Sequence, residues 1–372
     1  MSRARKLSQG SGKIAHAPPS RSLVGEWIYP RSAQTWSLSH GHPCSCKTPW
    51  DMARIWNAIL AEVILTIQIH RVLCATDFSD VSRAAFDYAV GMAKWYKARL
   101  SVLHVHQLSM PMYGAPYTGP EGLGPIVLTD LERRDIYERI EAYVAEDRAA
   151  TDLDIDTVVD EEVNVPDAIL SSARSISADL LVLGTHGRSG FQRIVLGSIA
   201  EKVLRKACCP VLIVPPHVSG ALPRDIVSID RILCPVDFSM SSARALDFAA
   251  SLAEQAHARL TVLHVVELPP DLSEFPNTGI VEYRNALFHE ARESLSKLVK
   301  TAPTTCSIDE LVLVGRAYRE TLRVAAEQGA GLIAMGVQGR GPVDLTFFGS
   351  TTNHVVRAAE CPVLTLREDR KR

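Results

Sequence analysis

The chain carries the same stretch twice. RVLCATDFSDVSRAAFDYAVGMAKWYKARLSVLHVHQL begins at Arg71 and RILCPVDFSMSSARALDFAASLAEQAHARLTVLHVVEL at Arg231; they align without a gap, with 19 of 38 positions identical. At this spacing of 160 residues Asp77 matches Asp237, Asp87 matches Asp247 and His104 matches His264. Farther on the spacing becomes 152, pairing Gly184 with Gly336, Gly187 with Gly339, Gly197 with Gly349, Ser198 with Ser350 and Cys209 with Cys361. The second copy has lost eight residues in between, mostly from a loop. So long a period means tandem domains, because solenoids repeat every ~20–45 residues.

Within each copy two patterns alternate. In the first, HRVLCAT is apolar on both faces, SDVSRAAFDYAVGMAKWY has helical spacing with Ser79 as its cap, and RLSVLHV is apolar again. A Pro-, Gly- and Tyr-rich loop at 107–126 follows, then an amphipathic helix at 129–149, the strand DTVVDEEV, a helix near 166–177 and the strand DLLVLG. A last helix and the strand PVLIV close the copy. Strands apolar on both faces, separated by helices, belong in a parallel sheet covered on both sides. Right-handed crossovers then wind it doubly. The expected fold class is α/β: two tandem doubly wound, Rossmann-like domains, each a five-stranded mostly parallel sheet flanked by helices. Their expected bounds are 66–216 and 229–368, with a linker at 217–228, a tail at 369–372 and an N-terminal extension at 1–65.

With 372 residues the chain can bury two such cores. An apolar fraction of 47% and a charged fraction of 22% are those of a soluble globular protein, and a net charge of −2 carries no signature of nucleic-acid binding. The charge is unevenly spread. Residues 1–50 hold seven Lys/Arg against one acid, Glu26, leaving 33 basic and 41 acidic residues elsewhere. This basic segment lacks the apolar core of a secretory signal and reads as a disordered extension, a transit peptide, or a start assigned too early, with Met52 nearer the beginning. The most apolar long window, Met52 to Ile69, contains Arg54 and Glu62, so no membrane span is predicted and a cytoplasmic location is expected. Cys74 and Cys234 sit in apolar runs, and Cys209 and Cys361 each precede a proline; all four read as buried hydrophobes in a reducing compartment. His40, His42, Cys44 and Cys46 are of ligand type, but HGHPCSC fits no familiar zinc spacing, and no metal site is predicted.

LGTHGRSGFQRIVLGS, Leu183 to Ser198, places four glycines between an apolar strand and a helix, and MGVQGRGPVDLTFFGS repeats the arrangement from Met335 to Ser350. In a doubly wound sheet such a loop emerges at the ligand-binding edge. Glycines permit positive φ and close backbone approach, so N–H groups can converge on an anion beside a helix N-terminus. A structural reading competes, because Ser198 and Glu201 also spell a capping box. The second copy puts Asn353 where Glu201 stands, which breaks the box and keeps the glycine spacing. There is no G-x-x-x-x-G-K-[ST], and no G-x-G-x-x-G follows the first strand.

G-x-x-G, nine residues, then G-[ST] resembles the nucleotide-binding signature of the universal stress protein family, and both loops match it. CATDFS and CPVDFS look like that family's opening strand, LSVLHV and LTVLHV like its second, CPVLIVP and CPVLTL like its last. The likeness covers about 66–216 and 229–368. For the ATP-binding branch it implies that Asp77 and Asp237, with the adjoining Ala75, Thr76, Pro235 and Val236, lie by the ribose and adenine. Main-chain atoms of Val105 and Val265 would bond the adenine. The triphosphate would lie on Leu183, Gly184, Gly187, Gly197, Ser198 and Ile199, and on Met335, Gly336, Gly339, Gly349, Ser350 and Thr351. Arg188 and Arg340 would approach the phosphates or remain solvated, and His104 and His264 are expected to be structural.

The resemblance thus implies ATP with Mg²⁺ as ligand, no catalytic residues, and a nucleotide-dependent stress-response sensor acting through protein partners. The alternatives are a slow ATP hydrolase and a scaffold independent of nucleotide. It also implies an intramolecular pseudo-dimer with PVLIV paired to PVLTL, further association being open. The loop at 107–126 would cover the nucleotide or dock a partner. Both copies are expected to hold nucleotide, the first fitting the pattern better: Thr185, His186 and Asp179 of the first copy become Val337, Gln338 and Gly331, and Ala75 and Thr76 become Pro235 and Val236.

Overall fold

The computed structural model describes residues 67–108, 127–146, 150, 152–185, 196–216, 229–268, 278–302, 304, 306–337 and 349–367. The His40–Cys46 group, Met52, most of the loop expected at 107–126, the linker 217–228, and Gly187, Arg188, Gly339 and Arg340 lie outside the described residues.

The first copy runs β1 (Arg71–Ala75), α1 (Asp80–Tyr96), β2 (Arg99–Gln107), α2 (Asp130–Ala145), β3 (Ile155–Glu162), α3 (Val165–Ser175), β4 (Leu180–Gly184), α4 (Ser198–Lys206), β5 (Val211–Val214). The second repeats it as β6 (Arg231–Pro235), α5 (Met240–Ala256), β7 (Arg259–Val266), α6 (Thr278–Val299), β8 (Ile308–Val314), α7 (Ala317–Gln328), β9 (Leu332–Gly336), α8 (Ser350–Ala358), β10 (Val363–Leu366). Local chemistry starts the helices where the sequence indicates. Ser79 and Ser239 cap α1 and α5 by accepting from the N–H of Ser82 (3.2 Å) and Ser242 (3.3 Å). Thr129 and Glu132 form a reciprocal capping box at α2. Among the described residues no helix is long and apolar enough to cross a membrane.

The strands form one ten-stranded sheet in the order β3-β2-β1-β4-β5-β10-β9-β6-β7-β8. Neighbours are parallel throughout except β5 and β10, which pair antiparallel with Val363 opposite Ile213, Leu364 opposite Leu212 and Thr365 opposite Val211. The last strand of each copy therefore joins the two halves, related by an approximate two-fold. Thr365 sits at this seam, 1% exposed, and donates its hydroxyl to Val211 O (3.2 Å).

Alternation along each strand sends side chains into two cores. Val72 and Cys74 enter the core beneath α1 and α5, which continues across the seam through Leu212 and Leu364. Leu73 enters the opposite core, with Ala200, Val203 and Val355 of α4 and α8. Both faces are covered, which explains why the buried positions of the central strands β1 and β6 are apolar on both faces.

Candidate functional site

β1 lies between β2 and β4, and β6 between β7 and β9, so in each copy the strand order reverses beside these central strands. Crevices open at such points, at the carboxyl ends of the strands. In the second copy this is a cavity of about 180 Å³. Pro235, Val236 and Asp237 line it from the end of β6, Leu263, His264 and Val265 from β7, and Met335 and Gly336 from β9. Ser242, Ala317, Thr321 and the run from Gly349 to Thr352 complete the wall. Every described second-copy residue named from the sequence (Pro235, Val236, Asp237, Val265, Met335, Gly336, Gly349, Ser350 and Thr351) is on it. Their first-copy equivalents Ala75, Thr76, Asp77, Val105, Leu183, Gly184, Gly197, Ser198 and Ile199 hold the same places on β1, β2, β4 and α4.

The D-F-S turn after the central strand is built identically in both copies. Asp77 Oδ1 accepts from the N–H (3.1 Å) and hydroxyl (2.6 Å) of Ser79; Asp237 Oδ1 accepts from those of Ser239 (3.0 and 2.6 Å). The aspartate thus orients the serine that caps the next helix. Between them Phe78 (φ 62°) and Phe238 (φ 63°) adopt the left-handed conformation, a genuine strain for a bulky residue. Each phenyl ring packs on the imidazole of the adjacent strand, with centroids 4.6 Å (His104) and 4.4 Å (His264) apart. His104 Nδ1 lies 2.9 Å from Thr76 O and His264 Nδ1 2.8 Å from Val236 O. A carbonyl only accepts, so Nδ1 carries the proton and the ring acts as a structural strut. His264 nevertheless contributes to the cavity wall.

Strand geometry explains why the valine after each histidine matters. Leu263 O accepts from Val236 N (2.8 Å), so the main chain of Leu263 faces β6; Val266 O accepts from Gly315 N (3.1 Å), so that of Val266 faces β8. Main-chain direction alternates along a strand, which turns Val265 toward β6. But β6 ends at Pro235, opposite Leu263, so the amide and carbonyl of Val265 lie beyond the strand, at the cavity. Thr76 N bonding Leu103 O (2.8 Å) and Leu108 N bonding Glu162 O (3.0 Å) orient Val105 in the same way.

The glycines divide their labour differently from the expectation. Neither Gly184 nor Gly336 has a positive φ; among the described glycines Gly315 and Gly329 do. The reason for glycine here is close packing. A Cβ on Gly336 would stand 2.6 Å from Ser241 Oγ and 2.8 Å from Ser242 N, and one on Gly184 2.8 Å from Val81 Cγ1. The second glycine pair sits at the helix N-caps. Gly197 (φ −58°) and Gly349 (φ −56°) cap α4 and α8 with no side-chain bond to the first turn. The capping-box reading of Ser198 and Glu201 is thereby overturned, since Ser198 is already inside the helix. The N–H groups of Gly197 and Gly349 are also engaged, donating to Thr185 O (2.8 Å) and Val337 O (3.0 Å). The amides facing outward are those one to three residues later, on Ser198, Ile199 and Ala200, and on Ser350, Thr351 and Thr352.

Ser242, Leu263, His264, Ala317, Thr321 and Thr352 line the cavity without having been named as ligand contacts. Thr321, 1% exposed, donates to Ala317 O (2.8 Å), and Thr352 donates to Gly336 O (2.9 Å). The signal available was topological: α7 starts at the same rim as α8, although no motif marks it. Asp179, one of the residues that differ between the copies, lies at the other end of the sheet from the crevice. Its Oδ2 accepts from His70 N (2.8 Å) and Arg71 N (3.0 Å), tying the start of β1 to that of β4.

Comparison with known proteins agrees with this architecture. The family model described as the universal stress protein family matches twice, over residues 68–215 and 228–367. A universal stress protein of Methanocaldococcus jannaschii is 34% identical over 144 residues, 39% of this chain and 81% of its own. One from Mycobacterium tuberculosis is 28% identical over 207 residues, 52% of this chain and 63% of that protein's length. The crystal structure of a universal stress protein from Archaeoglobus fulgidus aligns over 81% of this chain and 99% of its own, with a TM-score of 0.55 and 21% identity, a likeness of fold. With both copies matched end to end, the chain belongs to the universal stress protein family as a tandem member.

Proposed function

We propose that the carboxyl-edge crevices bind an adenine nucleotide, ATP with Mg²⁺, and that the chain is a cytoplasmic stress-response sensor whose bound state alters its contacts with protein partners. One observation carries the reading. In the second copy a main-chain donor–acceptor pair on Val265 and a helix N-terminus free of any side-chain cap open into the same cavity. The Watson–Crick edge of adenine offers an acceptor beside a donor, which the N–H and C=O of Val265 complement. The amides of Ser350 and Thr351, at the positive end of α8, suit phosphate oxygens. Asp237, held by Ser239 through Oδ1, is placed for the ribose hydroxyls. In the first copy Val105, Ser198, Ile199 and Asp77 take these parts. A cavity of about 180 Å³ falls below the ~300–1,000 Å³ of enclosed small-molecule sites. It accommodates the base and ribose while the phosphates run outward along the helix terminus.

Calorimetric titration of the full chain with Mg·ATP tests this, with saturable binding expected. Ala317→Trp, which projects an indole into the second cavity, should remove one binding event and leave the other. Absence of saturable binding at millimolar ATP overturns the reading. Mass analysis of nucleotide retained through purification then sorts the modes of action: ATP supports the sensor, ADP or AMP a slow hydrolase, and an empty protein a scaffold.

A further inference from the structure

At the seam between the copies, one half reaches into the other half's phosphate end. Glu201 lies one turn inside α4, its N–H bonded to Gly197 O (2.9 Å), directly behind the amides assigned to the first nucleotide. A carboxylate there suits the helix dipole, yet it is a like charge beside any phosphate bound at that terminus. Both of its oxygens are occupied by cations. Arg205 Nη2 holds Oε1 at 2.7 Å from within α4, and Arg357 Nη2 approaches Oε2 at 3.5 Å from α8 of the second copy. The second copy has no such acid, because Asn353 occupies the position equivalent to Glu201. With Asn353 neutral, α8 lacks an internal partner for its own arginine. Arg357 Nε and Asn353 Oδ1 are both buried with no hydrogen-bond partner among the described residues. The guanidinium is therefore directed across the seam. Glu201 and Arg357 are only 26% and 33% exposed, so solvent screens the pair incompletely.

We infer that Arg357 is a positioning residue for the first nucleotide site, masking Glu201 so that α4 can accept a polyphosphate, and that this site is incomplete without the second copy. The inference rests on the nucleotide reading and deepens it. The asymmetry runs one way, since the second site meets no acid on α8 that requires masking.

The test uses the full chain carrying Ala317→Trp, which isolates the first site, with Mg·ATP and adenosine as probes. Arg357→Ala should weaken ATP binding about three- to fivefold, the scale of one partly screened charge at short range, and leave adenosine affinity unchanged. Glu201→Gln should tighten ATP, and in a Glu201→Gln/Arg357→Ala chain the arginine effect should vanish. ATP affinity within the error of the parent in Arg357→Ala overturns the inference while leaving the nucleotide reading intact. So does an equal loss for ATP and adenosine, which would mark a structural effect. Failure of the Ala317→Trp parent and the unmodified chain alike to bind ATP overturns the nucleotide reading itself.

Discussion

The two copies share a frame and differ in how their corners are fastened. In the first, Thr76 is 6% exposed and its hydroxyl lies 3.0 Å from Ser82 Oγ while accepting from Phe78 N (3.1 Å). In the second, Val236 replaces it at 5% exposure, and Ser242 Oγ instead meets Asp237 N at 3.4 Å. At the opposite edge Asp179 ties β1 to β4 through two N–H groups, whereas Gly331 leaves only the main-chain bond from its N–H to Arg231 O (2.9 Å), with Arg231 reaching Gln328 O. What stays constant is the D-F-S turn, the imidazole strut and the glycine that lets strand meet helix. The main-chain frame of the crevice is duplicated, while side chains beside it, such as Thr76 and Val236, differ.

The comparison can be broken first at the glycines. Gly336→Ala should cost about 3 kcal/mol, because Ser241 and Ser242 contact the new Cβ partly through backbone that cannot move aside. Gly184→Ala should cost about 1–2 kcal/mol, since the closest atom is a Val81 methyl that can yield and the Val81 carbonyl, at 3.1 Å, need give only slightly. Urea unfolding of the full chain measures both, and equal losses would show that the packing asymmetry is unimportant. Next comes Thr76→Val, which gives the first copy the second copy's residue. It orphans Phe78 N and should destabilise by about 1–2 kcal/mol; a neutral result would show that the hydroxyl network does no more than fill space. Asp179→Ala should lose about 1 kcal/mol with ATP affinity unchanged, and a fall in affinity would show that this residue acts on the site.

The smallest effect tests what the copies have in common. Burial pushes the Cys74, Cys209 and Cys361 thiols up from 9.0 to about 12 each, and Cys234 is raised likewise. A thiol that ionises less readily when folded stabilises fully below pH 9, and that contribution is lost as pH climbs toward 12. At pH 9 the loss is about 0.4 kcal/mol per thiol. A Cys74→Ala chain should show a shallower decline above pH 9 than its parent in pH-dependent urea midpoints, and an identical slope would refute the assignment.

The fold was legible because duplication and apolar runs are properties of neighbouring residues. RVLCA and RILCP are apolar wherever both faces are buried, and Ser79 announces its helix by lying at its start. The glycines were legible as positions, but the packing that requires glycine at 184 and 336 was not. Their spacing suggested turns with positive φ, but Val81 and Ser241, which forbid a Cβ, lie some hundred residues away in the chain. For the same reason the sequence marked Asp179 only as a difference between the copies, and did not show that it ties the start of β1 to that of β4. Thr321 and Ala317 carried no motif, since only the start of α7 at the rim brings them to the cavity.

Periodicity, repeats and caps depend on contacts a few residues apart, and the order of residues alone settles these: two parallel α/β units, the helix starts and the glycine-bearing rims. Contacts between distant segments depend on where whole strands come to lie. Packing therefore decided that ten strands make one sheet, that Val265 turns its main chain past the end of β6, and that Arg357 of one copy meets Glu201 of the other. The seam and the Val265 rim were implied only by the likeness to a family; the Arg357–Glu201 pair bears no mark in the chain, because it exists only once the two halves have closed on their shared seam.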